Sequence, residues 1–178
     1  MRFEKVSLEQ YKKDCAEDML NEAVHGSSLY LGSEGLSPEE IYESIKLPKR
    51  ATKKSAGYDF YAPHDFRLNP GDTVRIATGI RVILDDDKFL MCAPRSGHGF
   101  KARIQLDNTV GIIDADYSES SNEGHIMLKL TNDSKTLKSI TVNRGDAMMQ
   151  AIILPYYKVE DDDTIEQRNG GFGSTDNK

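Results

Sequence analysis

The chain has 178 residues, 38% of them hydrophobic, and a formal net charge of -6. That is the size of one domain with appendages, and the acidic balance excludes a general affinity for nucleic acid or an anionic membrane. Any polyanionic ligand must be met by local cations, backbone N–H groups and a metal. Cys15 and Cys92 are the two cysteines and have neither metal-ligand spacing nor a disulfide framework, which suits a reducing cytosol. The start, MRFEKVSLEQYKKD, lacks the apolar stretch of a secretion signal, and no apolar run approaches membrane-spanning length. A soluble, cytoplasmic protein is expected.

Residues 1–50 read as a helical extension. Ser7-Leu8-Glu9-Gln10 is a capping-box pattern, with Leu8, Tyr11, Cys15 and Met19 at helical spacing behind it. Ser37-Pro38-Glu39-Glu40 repeats the signal with proline at the first helical position, and Ile41 and Ile45 share a face. Two short helices joined by the loop HGSSLYLGSEG are expected, packed onto a neighbouring subunit. Helical periodicity disappears from Ala56 onward. Short β-rich runs (TVRIATGIRVIL, KFLMCA, HIMLKL, SITV, MMQAIIL) alternate with the turn signals NPGD, DDD, NDS and NRGD. Over 51–160 this predicts a mainly β domain, a barrel or jelly-roll-like sandwich. Residues 161–178 form an acidic, then glycine-rich arm.

Five stretches carry chemistry. In SAGYDFYAP, Asp59 is either a sheet-end hydrogen-bond acceptor or part of a magnesium site, which needs few carboxylates when phosphates and water complete it. In APRSGHGFK, Arg95 offers a planar fork of donors, and Ser96 and Gly97 a hydroxyl and N–H groups suited to phosphate oxygens; a plain turn with a surface arginine is the alternative. His98 beside two glycines is read as exposed and without a chemical role. LDNTVGIIDADYSES reads as a tight hairpin around Asn108, Gly111, Ile112 and Ile113, with Asp114 following at an apolar wall. A carboxylate there should be partly desolvated and suited to activating water. The Asp114-x-Asp116-x-Ser118 spacing fails as a calcium loop, because Glu119 and His125 stand where glycine and glutamate are required. Tyr117 packs in the sheet or lies against a sugar. In NRGDAMMQAIIL, Met148, Ile152 and Leu154 suit a core, and Gln150 is the polar residue that needs partners. The tail RNGGFGST pairs Arg168 with Phe172 and the turn Gly173-Ser174-Thr175, a combination fitted to a phosphate and a flat heterocycle.

The stretches AGYD, PRSG, GIIDADY, GDAMMQ and RNGGFGST, in that order from about Ala56 to Thr175, resemble the trimeric deoxyuridine triphosphatases (dUTPases). The first fifty residues lie outside that common pattern and look like extensions of phage-related clostridial members. The resemblance implies a distorted jelly-roll β-barrel, a homotrimer that exchanges its C-terminal arms, Mg²⁺ as cofactor, and hydrolysis of dUTP to dUMP and pyrophosphate. It implies Asp114 as the general base. Asn108 and the backbone at Ile112 and Ile113 would read uracil, and Tyr117 would pack on the deoxyribose and exclude a 2′-hydroxyl. Arg95, Ser96 and Gly97 would form the phosphate loop with Gln150 nearby, and Asp59 would reach magnesium through water. Arg168, Phe172, Gly173, Ser174 and Thr175 would close the site as a lid from another subunit. The rim-like insertion SESSNEGH would lengthen a hairpin at the threefold or the site edge. A dCTP deaminase of the same fold is the rival, with Glu119 and Glu123 as the available glutamates. Binding of a repressor-type protein partner is a possible second role for the first helices or the insertion.

Overall fold

The computed structural model describes residues 1–25, 35–136, 138–166 and 168, with the side chains of 18–25 left out. In chain order the elements are β1 (Arg2–Lys5), α1 (Leu8–His25), α2 (Pro38–Ser44), β2 (Lys49–Arg50), β3 (Tyr58–Tyr61), β4 (Phe66–Leu68), β5 (Thr73–Ala77), β6 (Ile80–Ile83), β7 (Lys88–Pro94), α3 (Ser96–Ala102), β8 (Ile104–Leu106), β9 (Gly111–Ile113), a 3-10 helix (Ala115–Glu119), β10 (Met127–Asn132), β11 (Ile140–Val142) and β12 (Ala147–Pro155). The mainly β reading holds, and α3 is a helix where the sequence suggested a turn. The strands form a five-stranded sheet β2-β3-β12-β7-β9, a three-stranded sheet β5-β10-β8, and the pairs β1-β6 and β11-β4. Phe60, Phe66, Leu68, Ile76, Leu90, Leu130, Met148 and Met149 are essentially sealed from solvent and fill the space the sheets enclose.

Turn chemistry sets the strand ends. In Asn69-Pro70-Gly71-Asp72 the Asp72 N–H donates to the Asn69 carbonyl at 2.9 Å, and Gly71 takes φ +90°. Proline at the second position and a positive φ at the third are what a type II turn demands. Alternation along β12 is broken by a register shift between Ala147 and Met149, which lets Met148 and Met149 both be buried although they are neighbours. Past that irregularity Ile152 and Leu154 are half-buried rather than core.

The first fifty residues are built into this chain. Arg2–Lys5 is a strand, absent from the helical reading, and its ladder with β6 matches Phe3 to Val82. α1 runs 18 residues, longer than expected. Val6, Tyr11 and Ile41 form a buried cluster with Ala77 of β5, so the described part of the helices' apolar face is covered by the chain's own sheet; the Met19 side chain lies outside the described residues. The capping box of α2 is complete: the Ser37 N–H donates to Glu40 at 2.7 Å and the Glu40 N–H to the Ser37 hydroxyl at 3.2 Å. At α1 half of the box is replaced. The Gln10 N–H donates to the Ser7 hydroxyl at 3.1 Å, but the carboxylate that accepts the Ser7 N–H, at 2.8 Å, belongs to Glu123.

Candidate active site

Three of the five stretches meet at one end of the five-stranded sheet. The β12 register sets Gln150 beside Asp59 of β3 on one side and Ala93 of β7 on the other. β7 then delivers Arg95, whose Nε lies 3.0 Å from the Asp59 carboxylate and whose guanidinium also points to the Ala147 carbonyl at 3.4 Å. The Gln150 amide donates to the Pro94 carbonyl at 3.1 Å, which supplies the partner that its place in an apolar run requires. A Cβ on Gly57 would stand 2.7 Å from the Gln150 side-chain oxygen, so a larger residue there would displace the Gln150 amide. Ser96 and Gly97 open α3 and are exposed. The first N–H groups of a helix have no intrahelical acceptor and point outward. Asp59 is buried and Arg95 half-buried. This end brings together the Arg95–Asp59 ion pair, the Gln150 amide and the exposed start of α3.

The GIIDADY stretch builds a second group. β8 and β9 do not form the hairpin ladder expected of them, because β8 pairs with β10 and β9 with β7. The chain between them crosses from one sheet to the other, with Thr109 at φ +67°. The crossing opens a cavity of ≈ 270 Å³ lined by Cys92, Leu106, Asn108, Gly111, Ile112 and Ile113 among others. Gly111 packs closely on Cys92, since a Cβ there would stand 3.2 Å from it. Burial pushes the Cys92 thiol up to about 12, so it lines the cavity as a small apolar group and not as a nucleophile. Asp107, next to Asn108, is anchored by Lys129 at 2.8 Å and by the Thr131 hydroxyl. Partial burial raises its pKa, and these two partners outweigh that and bring it below the usual range.

Asp114 follows β9 and begins the 3-10 helix, accepting the Tyr117 N–H at 3.2 Å. Its side chain is 53% exposed, which corrects the expectation of a desolvated carboxylate: in the single chain the apolar wall lies behind Asp114 and not around it. Arg168 donates to Asp114 at 2.6 Å and to Asp116 at 2.9 Å, and its guanidinium carbon sits 5.6 Å from the centre of the Tyr117 ring. Tyr117 is buried. Its hydroxyl donates to the His125 carbonyl and accepts from the Asn122 amide, both at 2.9 Å. Burial, helped by the charge of Asp14, raises the phenol's pKa. Phe172, Gly173, Ser174 and Thr175 lie outside the described residues.

The two groups are far apart in one chain. The β7–β9 ladder matches Leu90 to Ile113 and Cys92 to Gly111, so Asp114 lies level with Phe89 while Arg95 is at the opposite end of β7. Six residues of extended strand put about 20 Å between them. The sequence thus identified two constellations, and the fold sets them at opposite ends of a strand. It gave no structural role to Asp14, Glu123 or His125, which tie α1 and Ser7 to the loop behind Tyr117. One signal was available: Asp14 sits on the Tyr11–Cys15 face of α1, a carboxylate on an apolar stripe.

A family model described as dUTPase matches residues 43–176. The deoxyuridine 5′-triphosphate nucleotidohydrolase of Lactococcus lactis subsp. lactis is 34% identical over 134 residues, spanning 74% of this chain and 88% of that protein. The nucleotidohydrolase of the same name from Hydrogenovibrio crunogenus is 39% identical over 142 residues, with 75% and 88% covered. Among solved structures, the Streptococcus mutans dUTPase is similar at 30% identity with a TM-score of 0.57, covering 66% of this chain and 91% of that one. On a match this long, and with the motifs standing in the places just described, the chain belongs to the dUTPase family.

Proposed function

We propose that this protein is a dUTP diphosphatase that releases dUMP and pyrophosphate, working in the cytoplasm as a homotrimer whose sites are shared between chains. The observation that carries the shared-site reading is the separation of the two groups along β7. Asp114 must reach the α-phosphorus and Arg95 the phosphates beside it, whereas one chain sets the two about 20 Å apart along the strand. A cyclic assembly that brings the Arg95 end of one chain to the Asp114 end of the next completes the site in every subunit.

In this reading the cavity beside Asn108 takes the uracil, whose edge is read by the Asn108 amide and the backbone at Ile112 and Ile113. Tyr117 stands against the deoxyribose. Asp114 orients a water and takes its proton as the water attacks the α-phosphorus in line. Arg95, Ser96, Gly97 and Gln150 of a neighbouring chain hold the phosphates and balance the developing charge. Arg168 and the arm through Phe172, Gly173, Ser174 and Thr175, contributed by another subunit, would close over the phosphates and the base and exclude water.

Among the described residues no three His, Cys, Asp or Glu side chains converge into a metal cage. Mg²⁺ binds through substrate phosphates, waters and a carboxylate or two, and needs no such cage. Asp59, at the phosphate corner, would hold it through a bound water, and the ion would supply charge neutralisation to the phosphates. The rival deaminase needs a free glutamate at the base: Glu123 is engaged with Ser7, and Glu119 stands exposed at the end of the 3-10 helix, so the dCTP arm of the test addresses it. The biological consequence is removal of dUTP before uracil enters DNA and a supply of dUMP for dTMP synthesis.

The test is pyrophosphate and ammonia release across dUTP, dCTP, dTTP, dATP and dGTP, with Mg²⁺ and with a chelator. Pyrophosphate from dUTP, lost with the chelator, is expected. Ammonia from dCTP would overturn the reading.

A further inference from the structure

α1 is tied to the back of the site by a chain of buried contacts. The Tyr117 hydroxyl donates to the His125 carbonyl, and His125 itself is sealed from solvent. Its Nε2 receives the Gly79 N–H at 2.7 Å, so Nε2 carries no proton and Nδ1 must be the donor. That Nδ1–H points to the Asp14 carboxylate at 2.5 Å, and the same Asp14 oxygen accepts the Gln10 amide at 2.9 Å.

The loop between Tyr117 and His125 needs such a hold. Glu123 and Gly124 have φ of +59° and +73° in succession, a left-handed pair that a non-glycine residue enters only against resistance. A Cβ on Gly124 would stand 2.6 Å from the Ser118 Cα, so the loop folds tightly back on the 3-10 helix. Contacts to α1 bracket that strained pair. Glu123 accepts the Ser7 N–H at 2.8 Å and the Ser7 hydroxyl at 2.6 Å, and His125 donates to Asp14. Within the loop, Asn122 and His125 hold the Tyr117 hydroxyl.

We propose that Asp14 is a positioning residue for the sugar subsite: acting through His125 it fixes the loop that orients the Tyr117 ring, so the N-terminal helix sets how strictly the enzyme prefers deoxyribose to ribose. This rests on the reading of Tyr117 as the wall against the deoxyribose. It gives residues that precede the match to the family model a place in specificity. A mere packing role for α1 would lower the amount of folded enzyme and leave the selectivity of each site unchanged.

The experiment measures kcat and KM per titrated active site for dUTP and UTP in the wild type, Asp14→Ala, Asp14→Asn and Glu123→Ala, together with amide hydrogen exchange over 115–125. Asp14→Ala should narrow the dUTP-over-UTP preference about tenfold, mainly through a higher KM for dUTP, and quicken exchange over 115–125 about tenfold. In Asp14→Asn the amide oxygen can accept both donors, so the preference should return to within about twofold of wild type. Glu123→Ala removes the surface tie and should move both readouts the same way by about threefold; it decides the matter if Asp14→Ala does not fold. Wild-type preference and wild-type exchange in the folded variants would overturn the proposal. A wild type that leaves dUTP intact would overturn the functional reading instead, and the exchange data alone would then decide whether Asp14 holds the loop.

Discussion

The two ends of β7 are built on opposite plans. At the Arg95 end the parts are locked before any ligand arrives: Asp59 is buried, Arg95 is paired to it, and Gln150 is bonded to backbone across the sheet. At the Asp114 end the carboxylates are half exposed, and Arg168 is their partner in the single chain. The Arg95 end is therefore preorganised by strand register. The other end holds Asp114 just before a short 3-10 helix, beside a cavity and open to solvent. A site that must exclude water cannot be finished from the second plan alone, and the first lies about 20 Å along the strand.

The largest effect should come from the open end. Asp114→Asn keeps shape and loses the proton acceptor, and should lower kcat for pyrophosphate release by about a thousandfold with KM for dUTP within about threefold. A variant that retained more than a tenth of the activity would remove Asp114 from the chemistry. At the locked end, Arg95→Ala should cost about a hundredfold in kcat/KM, and it should also leave Asp59 without its ion-pair partner. Steady-state kinetics measures the first consequence and thermal melting the second.

A third prediction separates both ends from the stability of the fold. His64 packs edge-on to Phe66, with ring centroids 6.3 Å apart, and burial pushes its imidazole down to about 4. The folded state therefore resists protonation while the unfolded chain accepts a proton below about 6.5. Stability should fall as pH drops from about 6.5 toward 4, by about 1–2 kcal/mol after allowance for partial exposure. His64→Gln should flatten that limb in urea melts without changing kcat at neutral pH. The Asp14 carboxylate contributes in a lower window. Burial raises its pKa, the His125 and Gln10 hydrogen bonds more than reverse that, and its contribution is lost only as pH falls below the ordinary carboxylate range.

The family was legible in the sequence because its motifs depend on residue type at short spacing. PRSG, GIIDADY and AGYD each hold their donors and acceptors within a few residues, so order along the chain is enough to mark them. What was not legible depends on distance in sequence. Asp14 and Glu123 meet opposite ends of a link between α1 and a loop more than a hundred residues away, and Gln10 of the apparent capping box turns inward to Asp14 because Glu123 has taken its place. The hairpin reading of 108–113 failed for a related reason. Local pattern identifies two strands and a turn, but not that each strand pairs with a different sheet, and the cavity exists because of that difference. Ile152 and Leu154 looked like core from apolarity alone, yet the single chain leaves both half-buried on β12.

The central claim is that each site takes Asp114 from one chain and Arg95 from another, and subunit mixing tests it most directly. Asp114→Asn and Arg95→Ala proteins, each nearly inactive, are unfolded together, refolded as a mixture, and assayed for pyrophosphate release from dUTP. Random assembly should restore about a quarter of the sites to full composition, and activity should rise to about that fraction of wild type. A mixture that stays at the level of its two inactive components, although the chains have exchanged, would contradict the account.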